Sequence, residues 1–225
     1  MSPAGPGAIT VLLDLDGTLV DPGPGIIGAY RHAMHALGCP VDSADDLRWV
    51  IGPSPRATFA TLLAGRADPE TALALYRAKY GDTGLFEASV YDGVFDALEA
   101  LKRAGNTLMV CTAKARVFAD RIVRHFGLAP YVSAVYGPDL DGRLEDKGDL
   151  IAHILDVEHL APRDACMVGD RRHDITAARR HGMASIGVLW GYGSEAELRA
   201  AGATRLIGAP TQLPSACKAV GEAPV

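Results

Sequence analysis

The first apolar run of the chain leads directly into two aspartates, in the stretch VLLDLDGTLVD from Val11 to Asp21. Residues 8–13 have the pattern of a short buried strand, and Gly17 permits an abrupt turn after it. Asp14 and Asp16 would then lie at the carboxyl edge of a sheet, which is where open α/β sheets bind ligands. Two adjacent carboxylates repel each other unless a cation or a proton lies between them. We therefore interpret the pair as part of a functional site, although Asp and Gly are also common in ordinary turns.

The rest of the chain divides into a helical block and an alternating segment. Between Asp21 and Leu85 apolar residues recur at helical spacing, and no segment has a strand pattern. From Tyr91 onward strand patterns alternate with helical ones, and a glycine follows most of the helices. This alternation predicts an α/β fold with βαβ units, a parallel sheet and helices on both faces. The helical block is predicted to be an insertion directly after the first strand.

Composition and charge disfavour a nucleic-acid-binding or membrane protein. The 225 residues are 48% hydrophobic, which suffices for a sizeable core, and the formal net charge is −5. An acidic chain is a poor partner for a nucleic-acid polymer or an anionic membrane, and no apolar run reaches membrane-spanning length. Four scattered cysteines without a C-x-x-C pair favour a reduced, cytoplasmic setting, and residues 1–7 do not have the pattern of a signal peptide. We expect residues 1–7 and 221–225 to be mobile tails.

Four further polar positions follow apolar runs or lie between elements. Thr112 ends one predicted strand, Lys147 lies in a connection, and Asp170 and Asp174 follow another strand in the segment GDRRHD. Because parallel strands place their carboxyl ends at one edge of the sheet, we expect these side chains to converge on the first two aspartates. Each position alone has a simpler interpretation: Thr112 or Asp174 as a helix N-cap, and Lys147 as a solvated lysine.

Together these residues indicate a site that transfers a phosphoryl group. Several carboxylates without clustered Cys or His favour Mg²⁺. A carboxylate can also attack phosphorus and form an aspartyl-phosphate. Lys147, the Thr112 hydroxyl and backbone N–H groups in the turn at Ala113 would stabilise charge on a transferring phosphoryl group.

Other charged residues near these segments include two that have more than one interpretation. Lys114 is either a substrate contact or a surface residue, and Arg56 either faces the site from the helical block or is an exposed arginine at a helix start. We interpret the remaining charged residues of the last motif as loop residues facing solvent: Arg171, Arg172 and His173.

The four segments resemble the signatures of the haloacid dehalogenase superfamily. They are DLDGTLV at Asp14–Val20, VCTAK around Thr112, EDKGD around Lys147 and GDRRHD at Gly169–Asp174, and the resemblance spans about residues 8–190. It implies a Rossmann-like, doubly wound parallel sheet core over residues 8–20 plus 87–220. It also implies that the inserted all-helical domain, residues 21–86, is a cap over the site.

The resemblance also implies roles. Asp14 would be the nucleophile and Asp16 the general acid and base. Thr112 and Lys147 would hold the phosphoryl group. Mg²⁺ would be bound by Asp14, the Asp16 backbone carbonyl and Asp170, with Asp174 either a direct ligand or just behind the ligands. Because true dehalogenases of the superfamily lack an acid at the position of Asp16, the chain looks like a phosphatase of small phosphomonoesters.

Two segments resemble the phosphoglycolate phosphatase branch: YDGV at Tyr91–Val94 and GVLWGYG at Gly187–Gly193. The region from Tyr136 to Lys147 resembles bacterial 5′-nucleotidase-type members. Two alternatives stay open: a phosphotransferase or mutase resembling β-phosphoglucomutase, and an inactive core that serves as a binding module.

Overall fold

The computed structural model describes residues 8–42 and 46–222 of the chain. Within these residues the strands are β1 Thr10–Leu13, β2 Val20–Asp21, β3 Ser89–Val90, β4 Thr107–Cys111, β5 Ala134–Tyr136, β6 Ala165–Gly169, β7 Ala184–Val188 and β8 Arg205–Ile207. The α-helices are α1 Gly23–Ala36, α2 Pro55–Leu63, α3 Pro69–Asp82, α4 Val94–Arg103, α5 Arg116–His125, α6 Lys147–Val157, α7 Arg172–Arg180, α8 Glu195–Ala201 and α9 Leu213–Gly221. Short 3-10 helices lie at Arg48–Val50, Gly84–Phe86, Pro162–Asp164 and Pro210–Gln212.

Six strands form one parallel sheet in the order β5-β4-β1-β6-β7-β8. From β1 the chain moves outward through β4 to β5, then returns to the other side of β1 and moves outward again from β6 to β8. The direction of winding therefore switches at β1, which places a crevice at its carboxyl end. The predicted α/β fold, a Rossmann-like doubly wound parallel sheet, is confirmed.

Strand β1 is buried on both faces. Val11 and Leu13 pack into the larger apolar cluster, which continues into the helices of the inserted block. Leu12 points the other way, into a second cluster with residues such as Met167 and Ile151. Each of these buried aliphatic side chains contributes roughly 1.5–3 kcal/mol. Burial on both faces explains why the sequence of β1 is an unbroken apolar run rather than an alternating one.

The inserted block consists of α1, α2, α3 and two of the 3-10 helices. Its interior is aromatic: the ring of Tyr30 lies 4.8 Å from that of Phe59, and Tyr76 stacks on Tyr80 at 5.4 Å. Asp68 is the N-cap of helix α3, and its side chain accepts a hydrogen bond of 2.9 Å from the backbone N–H of Thr71. No strand occurs in the described part of residues 22–88, as the sequence predicted.

Two features of the fold were not predicted. Strands β2 and β3 form an antiparallel ribbon, with Val20 opposite Val90, where the chain enters and leaves the helical block. After Val188, β8, α8 and α9 complete the core. Helix α9 extends to Gly221, the first residue of the predicted C-terminal tail, and buried side chains such as Leu213 and Cys217 anchor this helix. Of the other predicted tail residues, Glu222 is exposed and directly follows α9, whereas residues 1–7 and 223–225 lie outside the described residues.

None of the helices in the described ranges is both long and apolar enough to cross a membrane.

Candidate active site

Residues that are far apart in sequence converge at the carboxyl edge of the central strands. Asp14 directly follows β1, Thr112 follows β4 and Asp170 follows β6, while Lys147 is the first residue of α6. All four are buried, with exposed fractions of 5%, 1%, 0% and 7% respectively. The structure therefore brings together the residues that the sequence singled out.

Three carboxylates form the centre of this site. Asp14, Asp170 and Asp174 each offer an oxygen, and these oxygens all lie within 4.8 Å of one another. Burial raises the pKa of Asp170 well above its ordinary value, and the charges of Asp174 and Asp14 raise it further. One oxygen of Asp170 accepts a 2.7 Å hydrogen bond from the backbone N–H of Tyr192, but Oδ1 has no hydrogen-bond partner among the described residues. A buried cluster of hard oxygens with an unpaired lone pair fits Mg²⁺.

Glycine is required beside these acids. Gly17 has φ +80°, and a Cβ there would lie 2.3 Å from Oδ2 of Asp170. A Cβ at Gly169 would lie 2.1 Å from Cγ of Asp174. The glycines of two sequence motifs thus leave the space in which the carboxylates approach each other.

Lys147 is the cation of the acid cluster. Its Nζ lies 3.0 Å from Oδ1 of Asp14 and also donates to Asp174. Burial alone would lower the pKa of Lys147, but the carboxylates of Asp14 and Asp174 outweigh burial and raise it. Burial raises the pKa of Asp174 to about 6, although the charge of Lys147 acts in the opposite direction. Lys147 is thus a buried, charged residue rather than a solvated one.

Thr112 is held in a tight turn after β4. Its backbone N–H donates to the carbonyl of Tyr136 at 3.0 Å, and its Oγ1 accepts from the N–H of Lys114 at 3.2 Å. Helix α5 begins only at Arg116, with Ala115 as its N-cap, so the alternative of Thr112 as a helix cap does not apply. Thr112 and Ala113 both line the cleft described below.

Asp16 is paired with a second buried lysine. Nζ of Lys114 lies 2.8 Å from Oδ2 of Asp16 and donates to the hydroxyl of Tyr80, which belongs to α3. The side chain of Lys114 is only 5% exposed, so it is not a surface residue. Burial raises the pKa of Asp16, Lys114 opposes this shift, and Asp14 adds to it. Burial would lower the pKa of Lys114, but Asp16 and Tyr80 raise it to about 12.

A cleft between the sheet edge and the helical block leads to these residues. From the core it is lined by residues including Asp14, Asp16 and Phe118, and from the helical block by others including Arg56 and Tyr76. Arg56 therefore faces the cleft, but its guanidinium is paired with Glu70 and lies 3.8 Å from Glu145.

The interpretation of the last motif as a solvent-facing loop was wrong in part. Arg171 is 11% exposed in its side chain, pairs with Glu197 at 3.0 Å and donates to the carbonyl of Ile51 in the helical block. Arg172 is exposed, as predicted, but it is the first residue of α7, and His173, in the same helix, is half-buried. Arg171 is held by contacts with Glu197 and Ile51, which are distant from it in sequence, and the local sequence pattern does not reveal such contacts.

Asp174 occupies the first turn of α7 without being its N-cap. It is the third residue of the helix, and its Oδ2 accepts a 3.0 Å hydrogen bond from the N–H of Arg171. The same carboxylate therefore caps a helix N-terminus and belongs to the acid cluster.

Sequence reasoning missed two residues of the site. Arg77 lines the cleft, and its position one helical turn from Leu73 and Tyr80 was a usable signal. Tyr192 holds Asp170 through its backbone N–H, for which the side-chain pattern carries no signal.

Comparison with known proteins agrees with this geometry. The family model of the haloacid dehalogenase-like hydrolases matches residues 11–188. A 5′-nucleotidase of Pseudomonas aeruginosa is 44% identical over 191 residues, which cover 84% of this chain and 86% of that protein. A phosphoglycolate phosphatase of Caulobacter vibrioides is 31% identical over 218 residues, which cover 92% and 90%.

A relative with a different activity in its name is the tyrosine-protein kinase PtkA of Mycobacterium tuberculosis. It is 39% identical over 183 residues, which cover 81% of this chain but only 62% of PtkA.

Among solved structures, a predicted phosphatase from Clostridium acetobutylicum superposes with a TM-score of 0.87 at 35% identity. The superposition covers 93% of this chain and 98% of that one. On the strength of the match, the fold and the site, the chain belongs to the haloacid dehalogenase-like hydrolase family as one of its phosphatases.

Proposed function

We propose that the protein is a Mg²⁺-dependent phosphatase that hydrolyses small phosphomonoesters through an aspartyl-phosphate on Asp14. The observation that carries the proposal is the convergence of Asp14, Asp170, Asp174, Lys147 and Thr112 at one sheet edge beneath a cleft. A buried set of acids, one amine and one hydroxyl suits the charge of a transferring phosphoryl group.

The proposed reaction has two steps. In the first, a carboxylate oxygen of Asp14 attacks phosphorus, the bond to the leaving oxygen breaks, and Asp16 donates its proton to that oxygen. In the second, Asp16 takes a proton from water, whose oxygen attacks phosphorus while the bond to Asp14 breaks and phosphate leaves. The raised pKa of Asp16 favours the protonated form that the first step needs.

The remaining residues bind and orient the phosphoryl group. Lys147 and Thr112, with the turn at Ala113, would hold its oxygens, and Lys114, 2.8 Å from Asp16, would contact the substrate beside the leaving oxygen. Asp14, Asp170, Asp174 and the backbone carbonyl of Asp16 would hold Mg²⁺. When bound, Mg²⁺ would neutralise charge on the phosphoryl oxygens.

The substrate is proposed to be phosphoglycolate-like or nucleotide-like, as the names of the two phosphatase relatives suggest. Residues 21–86 would act as a cap that closes over the substrate and excludes water during transfer. Arg56, which faces the cleft, is proposed as a cap contact to the substrate. Four buried free cysteines support a reduced, cytoplasmic setting for this activity.

The test is phosphate release from a panel of phosphomonoesters by the purified chain. We expect activity with Mg²⁺, none after removal of the metal with EDTA, and a loss of at least about 10³-fold in kcat for Asp14→Asn. Asp156→Asn is the matched control, because Asp156 is an exposed residue of α6. Full activity of Asp14→Asn, or in EDTA, would reject the mechanism.

A second candidate is transfer of the phosphoryl group to another hydroxyl, as in a mutase or kinase. One observation favours it, the similarity to a protein named a tyrosine kinase. The two candidates share the step on Asp14 and differ in the acceptor. Incubation with sugar phosphates as phosphoryl donors, alone or with a tyrosine peptide as acceptor, followed by analysis of products, distinguishes them: transfer to a hydroxyl in excess of phosphate release would favour the second candidate. An inactive binding module receives no support, since both acids and the lysine are present.

A further inference from the structure

The charged side chains that line the cleft are paired, with one exception. Asp14 pairs with Lys147, and Asp16 with Lys114. The outer charges pair as well: Arg56 with Glu70 and Glu145, and Asp139 with Arg143. Among the described residues, only Arg77 lines the cleft with a charge but without a hydrogen bond or an ion pair within 4 Å.

Arg77 lies on the face of α3 that is turned towards the cleft. The cleft-lining residues of this helix are Leu73, Tyr76, Arg77 and Tyr80, at the i, i+3, i+4 and i+7 spacing of one helical face. The other three side chains of this face are buried and apolar or aromatic. Arg77 is half-buried, and no carboxylate among the described residues lies close enough to pair with it, so packing alone does not explain a cation on this face.

The surroundings of Arg77 disfavour its charge. Burial lowers the pKa of Arg77, and the nearby charge of Arg56 lowers it further, while Glu145 acts in the opposite direction. Glu145 is already engaged, because it accepts a hydrogen bond from Ser54 and lies 3.8 Å from Arg56. Two guanidinium groups on one wall of a cleft, one of them unpaired, form a place where an anion would relieve repulsion.

We propose that Arg77 determines specificity by binding a second anionic group, a carboxylate or a phosphate, in the leaving portion of the substrate. The inference rests on the proposed phosphatase function and narrows its substrate class. A guanidinium suits both anions because it can donate two parallel hydrogen bonds. Arg77 is preferred to Arg56 for this role, since the guanidinium of Arg56 already has two carboxylates beside it.

The inference separates the two kinds of substrate suggested by the relatives. Glycolate, the leaving portion of phosphoglycolate, carries a carboxylate. The nucleoside of a nucleoside monophosphate carries no second anion. Arg77 therefore favours acidic leaving portions over nucleosides.

The experiment compares matched phosphomonoesters with and without the second anion. The carboxylate probes are 2-phosphoglycolate and 3-phosphoglycerate, and their counterparts without the second anion are 2-hydroxyethyl phosphate and glycerol 3-phosphate. The bisphosphate probe is fructose 1,6-bisphosphate, and its counterpart is fructose 6-phosphate. Each is assayed by kcat/KM with the wild-type chain, Arg77→Gln and Arg77→Lys. Arg66→Gln, which changes an exposed arginine of the helical block outside the cleft, is the matched control.

We expect Arg77→Gln to lower kcat/KM for the preferred acidic probe about 10- to 100-fold, because this factor corresponds to the free energy of one hydrogen bond to a charged group. The neutral counterparts should change by no more than about twofold, and Arg77→Lys should recover part of the loss because it keeps the charge. Arg66→Gln should leave both kinds of probe unchanged. The acidic probe that shows the Arg77-dependent preference identifies the anion as carboxylate or phosphate.

Equal losses on acidic and neutral probes would show a structural role for Arg77 and overturn the inference, as would no loss on either. A wild-type preference for neutral phosphoesters or nucleoside monophosphates would overturn it as well, while leaving the phosphatase function intact. Failure of the wild-type chain to release phosphate from any probe would overturn the proposed function, and the inference with it.

Discussion

Two buried lysines pair with three of the four carboxylates of the site, and Asp170 pairs with neither. Lys147, from the core helix α6, pairs with Asp14 and Asp174. Lys114, from the turn after β4, pairs with Asp16 and also contacts Tyr80 of the helical block. The helical block thus contacts the lysine of the proposed general acid, whereas the ion pairs of the proposed nucleophile lie within the core.

Gly17 offers a direct test of how closely the acids are packed. Gly17→Ala would place a methyl group 2.3 Å from Oδ2 of Asp170 and would keep a positive φ. We expect it to destabilise the fold by about 2–4 kcal/mol, from left-handed strain plus overpacking, and to weaken Mg²⁺-dependent activity at least about tenfold. Urea unfolding and kcat measured against Mg²⁺ concentration check both effects.

The matched control is Gly127→Ala. Gly127 also has a positive φ, +72°, but a Cβ there would meet nothing within 4 Å. The Gly127→Ala substitution should therefore lower the free energy of unfolding by only about 1–2 kcal/mol and leave activity unchanged. Equal effects of the two substitutions on activity would show that the space beside Asp170 is not limiting.

At the scale of elements, the start of α7 joins three parts of the molecule. Arg171, its N-cap, pairs with Glu197 of α8 and donates to the carbonyl of Ile51 in the helical block. Its backbone N–H meanwhile donates to Asp174 in the acid cluster. A contact between the core and the helical block is thus placed directly beside the proposed metal ligands.

Arg171→Ala is expected to loosen this junction. It removes one charged hydrogen bond to the helical block and the ion pair with Glu197, so we expect a loss of about 1–3 kcal/mol in the free energy of unfolding. The neighbouring Arg172→Ala, at an exposed position, should change it by less than about 0.5 kcal/mol. Denaturant unfolding of both variants measures the difference, and equal stabilities would mean that the buried contacts of Arg171 contribute nothing.

At the scale of the whole molecule, the sequence predicts the sheet and the acid cluster because both follow from local pattern. Asp14, Thr112 and Asp170 each end an apolar run, and a parallel sheet brings such ends together. The ribbon of β2 and β3 could not be predicted, since two-residue strands have no periodicity of their own. The roles of Arg171 and Tyr192 depend on partners 120 and 22 residues away, which no local signal specifies.

The acid cluster also determines how stability depends on pH and on Mg²⁺. Burial raises the pKa of Asp174 from its ordinary value of 3.8 to about 6, and that of Asp170 well above 3.8. A carboxyl group with a raised pKa in the folded state binds its proton more tightly there than in the unfolded chain. Without metal, its contribution therefore favours folding at low pH and is lost as the pH rises from about 4 through 6.

Mg²⁺ should reverse this loss, because the cation favours the ionised carboxylates. At pH 7.5 and a concentration 100 times its Kd, Mg²⁺ is expected to stabilise the chain by about 2.7 kcal/mol, a rise in Tm of about 5–10 °C. At pH 4.5 the protonated cluster should bind Mg²⁺ weakly and the rise should nearly vanish. Melting curves with MgCl₂ or NaCl at equal ionic strength measure the difference at each pH, so the titration of other carboxylates cancels. Asp170→Asn should abolish the rise at pH 7.5, and an equal rise at both pH values would contradict a metal site built on these acids.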